Sequence, residues 1–270
     1  MKESSNTIIS CGMSEIGPIR DENQDTICAL DDINRPGAKL YIVADGMGGY
    51  SNGKLASSLA VETFCKNFFN AKGSLSQRMQ HAIQSANTQV YQTSQSMGSE
   101  RMGTTLTSVY LDGHDLFIAH VGDSRVYLVR GRQVRCLTRD HTMVADLVRM
   151  KIISAEQLRT HYQRSILSRS VGLAPFVQPD VTRYTVREGD RLILCTDGLW
   201  SVLQDEEFAV LSSNSMDLER YINRMIELAI DRVTDDNVSA IGVQIVSLDH
   251  DNPPEKVDRW RWLRALKKSS

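Results

Sequence analysis

No apolar run in this sequence approaches the roughly 20 residues that a membrane-spanning helix requires, and none of its five cysteines forms a C-x-x-C pair. A spanning helix and a structural zinc site are therefore not expected. Cys11, Cys28, Cys65, Cys136 and Cys195 are odd in number and scattered, which also argues against a disulfide framework. Buried free thiols in a reducing compartment are the expectation. The six histidines, His81, His114, His120, His141, His161 and His250, show no H-x-x-x-H spacing and read as structural or solvated. An excess of positive charge is missing too. The formal net charge is −2 at pH 7, which disfavours nucleic acid as a partner. The amino-terminal stretch has a lone Lys2 and only the short apolar pair Ile8-Ile9, not the apolar core of a signal peptide, so a cytoplasmic location is expected.

The charge that is present is uneven. From Lys256 to Ser270 there are six basic residues and one acidic one, net +5, which leaves −7 for the rest. Asn252-Pro253-Pro254 separates this tail from what precedes it, dividing the chain into residues 1–248, long enough for one large domain or two modest ones, and a basic tail over 249–270. Trp260 and Trp262 lie in the tail. It reads first as a segment that folds back or stays solvated, and second as an amphipathic helix for a partner or an anionic membrane.

The stretch Leu40 to Tyr50, L-Y-I-V-A-D-G-M-G-G-Y, changes character at one carboxylate. A short β-prone run enters Asp45, and Gly46, Gly48 and Gly49 then permit close backbone approach. A carboxylate at a strand mouth with small residues after it suits a hard cation, although Asp-Gly is also ordinary turn chemistry. The same device recurs where the strand Arg191 to Cys195 runs into Thr196-Asp197-Gly198-Leu199-Trp200. Asp236-Asn237 precedes the last strand, Val238 to Val246. Antiparallel pairing would bring a strand entrance beside a strand exit, and so gather these carboxylates at one edge.

Between these points the apolar spacing predicts an edge strand over 4–14, helices over 54–69, 75–96 and 217–231, and strands over 104–111, 116–121, 125–129, 134–137 and 181–186. The short turns favour a meander within one sheet. Residues 141–171 form an irregular helical insert, either a flap over the sheet edges or a plain connector, with Ser154 placed as a helix N-cap. Val-Gly-Asp-Ser-Arg, 121–125, is turn chemistry in which Arg125 can pair with Asp123.

Taken together, Arg20 with Asp25, Asp45-Gly46, Gly103-Thr104-Thr105, Gly122-Asp123-Ser124, Asp197-Gly198 and Asp236-Asn237 stand in the order of the metal-dependent type 2C protein phosphatases, bacterial branch. The chain resembles that family over roughly residues 7–246, which implies that residues 1–248 are a type 2C phosphatase-like catalytic domain. The resemblance implies an α+β fold, a four-layer α-β-β-α sandwich of two antiparallel sheets flanked by helices. It further implies a serine/threonine phosphatase with Mn²⁺ or Mg²⁺ as cofactor, two ions per chain and a weaker third, that uses a metal-bridging hydroxide on phosphoserine and phosphothreonine. Its substrates would be phosphorylated proteins made by a cognate Ser/Thr kinase, and the enzyme would act as a monomer. Asp45 would bridge the metals, the Gly46 carbonyl would ligate one of them, and Asp197 and Asp236 would serve the other. Asp123 with Asp197 would hold the third. Arg20 would grip the phosphate, and Asp25 would act through bound water.

The residue types suit that chemistry. A phosphomonoester is dianionic near neutral pH, and cations with a guanidinium neutralise the repulsion that a nucleophile meets. The chain departs from the family at Met47, Tyr50, Lys54, Gln24 and Trp200-Ser201. Met47 stands where many eukaryotic relatives carry a proton-donating His, leaving metal-bound water or His141 as candidate leaving-group acids. These departures keep two rivals open: a catalytically weak regulatory module that binds phosphoproteins, and a hydrolase of small phosphate compounds.

Overall fold

The central strands carry apolar residues on both faces because each lies between two other layers, whereas the edge strands are partly exposed. The computed structural model describes residues 6–49, 52–98, 101–158, 161–212 and 217–248. Along the chain run β1 (Thr7–Glu15), β2 (Asp25–Asp31), β3 (Lys39–Met47), α1 (Asn52–Asn70), α2 (Leu75–Ser96), β4 (Gly103–Thr104), β5 (Leu106–Asp112) and β6 (Asp115–Val121). Then follow β7 (Arg125–Arg130), β8 (Gln133–Cys136), α3 (Met143–Arg149), β9 (Asp180–Thr185), β10 (Arg191–Cys195), α4 (Asp197–Trp200), α5 (Asp205–Ser212), α6 (Leu218–Asp231) and β11 (Val238–Ser247). One antiparallel sheet has the order β1-β11-β10-β7-β8, and the other β2-β3-β5-β6-β9 with β4 added at the end of β3. This is the α+β sandwich that the sequence led us to expect. No described helix is long and apolar enough to cross a membrane.

Side-chain alternation sorts the core into three layers. On β3, Tyr41 and Val43 point between the sheets, where they meet Val109, Ile118, Leu192, Leu194 and Ile241. Leu40, Ile42 and Ala44 point outward, under α1 and α2, against Phe64, Phe68 and Ile83. Each fully buried Phe there contributes roughly 1.5–3 kcal/mol of transfer free energy. The third layer packs α4, α5 and α6 on the other sheet through Tyr127, Ile193, Trp200, Phe208, Tyr221 and Met225. By parity Asp45 falls on the inter-sheet face, at the end of its strand, where the apolar filling stops.

Two of the three long described helices, α2 and α6, start at side-chain-capped ends. Ser74 and Gln77 form a capping box ahead of α2, and Asp217 accepts from the Arg220 amide at 2.8 Å ahead of α6.

Three expectations need correction. The central strands are not a meander in one sheet: β5-β6 belongs to one sheet and β7-β8 to the other, so the link 122–124 crosses the sandwich. Hydropathy is uninformative here, because β6 and β7 are buried on both faces. Ser154 does not cap an α-helix. It precedes a 3₁₀ turn, Ala155–Leu158, and its hydroxyl donates to Glu156 at 2.7 Å. Of the five cysteines only Cys195 is fully buried, while the other four are half-buried and all are free thiols.

Residues 141–171 leave and re-enter the sandwich at one place. The Ser168 amide donates to the His141 carbonyl at 2.8 Å, and Thr142 bridges Leu167. The insert is thus a flap, and its Arg164 reaches Asp235 at 3.6 Å. Tyr50, His250 and the tail with Trp260 and Trp262 lie outside the described residues.

Candidate active site

Three strand ends converge at one edge of the sandwich. In the β2–β3 ladder Asp25 is the direct partner of Asp45, and in β10–β11 the last pair, Cys195 with Ala240, places Asp197 near Asp236. Asp45, Asp197 and Asp236 each offer an oxygen, all within 4.8 Å of one another. Each of the three is half-buried.

The backbone around them is closely held. The Asp45 amide donates to Thr105 Oγ1 at 2.9 Å, and the Asp45 carbonyl accepts from the Thr105 amide and the Thr104 hydroxyl, both at 2.8 Å. These contacts give a role to the Gly103-Thr104-Thr105 motif. A Cβ on Gly46 would collide with the Gly53 carbonyl, and one on Gly198 with the Asn237 carbonyl, so the first turns of α1 and α4 lie directly on the neighbouring strand ends. Asn237 accepts from the Gln24 amide at 2.9 Å and donates to the Ile16 and Glu22 carbonyls at 2.8 and 2.9 Å. It thereby folds the loop carrying Arg20 back onto β11.

Crowding of carboxylates dominates the electrostatics. Burial, only partly offset by hydrogen bonds from Ser239 and Thr196, raises Asp25 from 3.8 to about 7. Burial and the neighbouring Asp236 charge raise Asp197 to about 6. Asp45 is pushed well up by burial and then by the charges of Asp25, Asp197, Asp236 and Asp123. Burial followed by the Asp197 charge also pushes Asp123 up. Thr196 Oγ1 donates to Asp25 Oδ2 at 2.9 Å, while Asp25 Oδ1 and Asp197 Oδ1 are buried without a protein hydrogen-bond partner. A buried oxygen left so is costly unless a proton or a cation meets it.

Beside the cluster opens a cleft of about 670 Å³ lined by Ile19, Arg20, Asp21, Glu22, Gln24, Gly48 and Asn237. Arg20 stands half-exposed at its wall, with Nη2 donating to Asp236 Oδ2 at 2.8 Å and Nε to the Asp235 carbonyl at 2.9 Å. Lys54 is turned toward β2, where its Nζ donates to the Asp25 carbonyl at 2.6 Å. Met47 ends β3 beside Gly103.

Asp123 stands outside the group of three and acts on it through its charge. Arg125 does not pair with Asp123. It lies on the outer face of β7, where Nε and Nη2 bond the two Asp140 oxygens at 2.9 and 2.6 Å. His141 is not brought to the carboxylates. It is buried against His120, accepts from the Gly122 amide at 3.1 Å through Nδ1 and turns Nε2 toward Asp180 at 3.4 Å. It belongs to a separate cavity with Arg169 and Asp180, and burial holds its pKa low. Sequence reasoning missed Thr196, Trp200 and the side-chain role of Asn237. Their neighbours in the Asp-Gly and Asp-Asn motifs were the available signal.

The model of the family described as Protein phosphatase 2C matches residues 9–238. The serine/threonine protein phosphatase PstP of Mycobacterium tuberculosis is 33% identical over 240 residues, 88% of this chain and 45% of that protein, so the chain spans about half of PstP's length. A serine/threonine phosphatase structure from S. agalactiae superposes with a TM-score of 0.83 at 32% identity, covering 88% of this chain and 100% of that one. The catalytic domain of PstP in complex with 2 manganese ions superposes with a TM-score of 0.77 at 29% identity, covering 89% and 99%.

Proposed function

The chain belongs to the protein phosphatase 2C family, and on that premise we propose that it hydrolyses phosphoserine and phosphothreonine on proteins, opposing a Ser/Thr kinase in the cytoplasm. The observation that carries this reading is the convergence of Asp45, Asp197 and Asp236 within 4.8 Å beside an open cleft whose wall carries Arg20.

The residues fit a hard divalent cation. Every donor is an oxygen, which suits Mg²⁺ or Mn²⁺. The mutual repulsion of the carboxylates and the unpartnered Asp197 Oδ1 call for positive charge at this point. Asp45 and the Gly46 carbonyl following it would serve as ligands to such cations. Asp197 and Asp236 would join Asp45 in holding two of them, and Asp123 with Asp197 would hold a weaker third. Bound there, the cations supply neutralisation of phosphoryl charge and acidify water.

The remaining steps fall to the chain's own groups. Arg20 stands at the cleft wall, where a guanidinium meets an incoming phosphate dianion and holds it by charge-assisted hydrogen bonds. Thr196 fixes Asp25 through Oδ2, which leaves Oδ1 to accept a hydrogen bond from water in the cluster and so orient it. No thiol is placed for attack: Cys195 points into the helix layer, and burial pushes its pKa far up. Direct transfer to water is the consistent reaction.

The test uses metal-stripped protein, a phosphothreonine peptide and, in parallel, a sugar phosphate and a nucleotide. Release of phosphate from the peptide on adding Mn²⁺ or Mg²⁺, well above release from the small compounds, is the expected result. Preference for the small compounds would make the protein a small-phosphate hydrolase. Tight peptide binding without release would make it a regulatory module.

A further inference from the structure

Asp123 and Asp197 reside on separate pieces of chain, the inter-sheet link and the start of α4, and one side chain ties the two together. Trp200, three residues after Asp197, is 4% exposed and donates its indole Nε1–H to the main-chain oxygen of Asp123 at 3.0 Å. The face of the same ring receives the Arg125 guanidinium, with Cζ 3.6 Å from the ring centroid. Trp200 therefore grips the link on both sides of Ser124, by the oxygen of 123 and by the side chain of 125.

The far side of that grip is rigid. Arg125 is bound to both oxygens of Asp140, and its Nη1 donates to the Tyr127 hydroxyl at 2.8 Å. That hydroxyl donates in turn to Asp205 at 3.1 Å. The link has its own anchors on either side of Asp123: Gly122 exchanges hydrogen bonds with His141, and Ser124 Oγ meets Thr105 Oγ1 at 2.8 Å. Gly122 itself takes a φ of +110°, where a backbone without Cβ turns sharply. The indole N–H is what holds the oxygen of Asp123, between those anchors, to the helix that bears Asp197.

We propose that Trp200 is a positioning residue of the cation site, setting how far the Asp123 carboxylate stands from that of Asp197. The inference rests on the reading of Asp123 and Asp197 as cation ligands. Its consequence is selective. Loss of the indole N–H loosens the ligand set that includes Asp123, while the set built on Asp45 and Asp236 keeps its own supports in Thr104, Thr105 and Asn237.

The experiment is a calorimetric titration of the metal-stripped full chain with MnCl₂, in wild type, Trp200→Phe, Asp123→Asn and the double variant. Phenylalanine keeps an aromatic face for Arg125 and lacks the N–H. The weakest Mn²⁺-binding event should lose about tenfold in affinity in Trp200→Phe, the tighter binding should stay within about twofold, and Trp200→Phe should add nothing in the Asp123→Asn background. Unchanged affinities with a lowered Tm would make Trp200 a packing residue and overturn the inference. So would an equal loss in the Asp123→Asn background. Absence of any Mn²⁺ binding in the wild type would instead refute the ligand reading, and this inference with it. A second readout needs no variant at position 200. In a chain carrying Trp260→Phe and Trp262→Phe, the remaining indole ¹H–¹⁵N resonance should shift as Mg²⁺ fills the weakest site, and an unmoved resonance would also overturn the proposal.

Discussion

Asp25 and Asp45 are direct cross-strand partners in the β2–β3 ladder, two carboxylates side by side on the inter-sheet face. Such a pair is strained unless a proton or a cation lies between its members. Asp25 is raised from 3.8 to about 7 and Asp197 from 3.8 to about 6, each first by burial. A carboxyl raised in the folded state contributes stability that is complete below its unfolded pKa and lost as pH rises through the folded value. The Tm contribution of these groups in metal-free protein should therefore fall from about pH 4 to about pH 7, and Asp25→Asn should flatten that fall. Mn²⁺ should raise the Tm most at the upper end. Thermal unfolding of wild type and Asp25→Asn across this range, with chelator and with Mn²⁺, checks the sign; a steeper fall in the variant contradicts it.

Asp140 neutralises a guanidinium that is almost wholly enclosed. Side-chain exposures in the Arg125–Asp140 pair are 9% and 4%, so Asp140→Ala leaves a buried positive charge without its partner. Chemical denaturation should report a loss of roughly 3–5 kcal/mol. A change under about 1 kcal/mol would mean that water or Asp205 replaces Asp140.

Gly198 is the point where α4 rests on the segment that carries Asp236 and leads into β11. A methyl group there meets the Asn237 carbonyl, so Gly198→Ala should cost roughly 1–3 kcal/mol and lower Mn²⁺ affinity by separating Asp197 from Asp236. Denaturation and metal titration of the same variant test both parts. Wild-type affinity would show that the helix shifts without moving Asp197.

Arg20 is half-exposed, so its removal should barely affect stability while it strongly affects turnover. For Arg20→Ala we expect kcat/KM on a phosphothreonine peptide to fall about 10- to 100-fold, with stability within about 0.5 kcal/mol of wild type. An unchanged kcat/KM would remove Arg20 from phosphate binding.

Much of the site was legible because its chemistry lies in short motifs at strand ends. An apolar run meeting Asp45-Gly46 or Asp197-Gly198, and Asp236-Asn237 ahead of a final run, announce both a carboxylate and its place on a sheet edge. Arg20, Asp25 and Asp123 were singled out by the same order of motifs; Arg20 bonds Asp236, Asp25 pairs with Asp45, and Asp123 stands outside the group of three. What escaped depends on partners distant in sequence. Thr196 reaches Asp25 across 171 positions, and Trp200 reaches Asp123 across 77. Arg125 has a carboxylate two residues before it, yet strand parity turns its side chain outward toward Asp140. The crossing of the sandwich between β6 and β7 was hidden for a related reason: strands buried on both faces carry no pattern that says which sheet they join. The short helix α5 was missed because its eight residues hold only two buried apolar positions.

If the carboxylates around Asp45 hold the cations needed for phosphate release, Asp45→Asn should remove cation binding and turnover together. Phosphate release from a phosphothreonine peptide should be measured across a Mn²⁺ titration for wild type and variant, with calorimetric Mn²⁺ binding recorded on the same samples. The folded variant should lose both the tight Mn²⁺ binding and the turnover. Wild-type turnover and wild-type Mn²⁺ affinity in Asp45→Asn would contradict it.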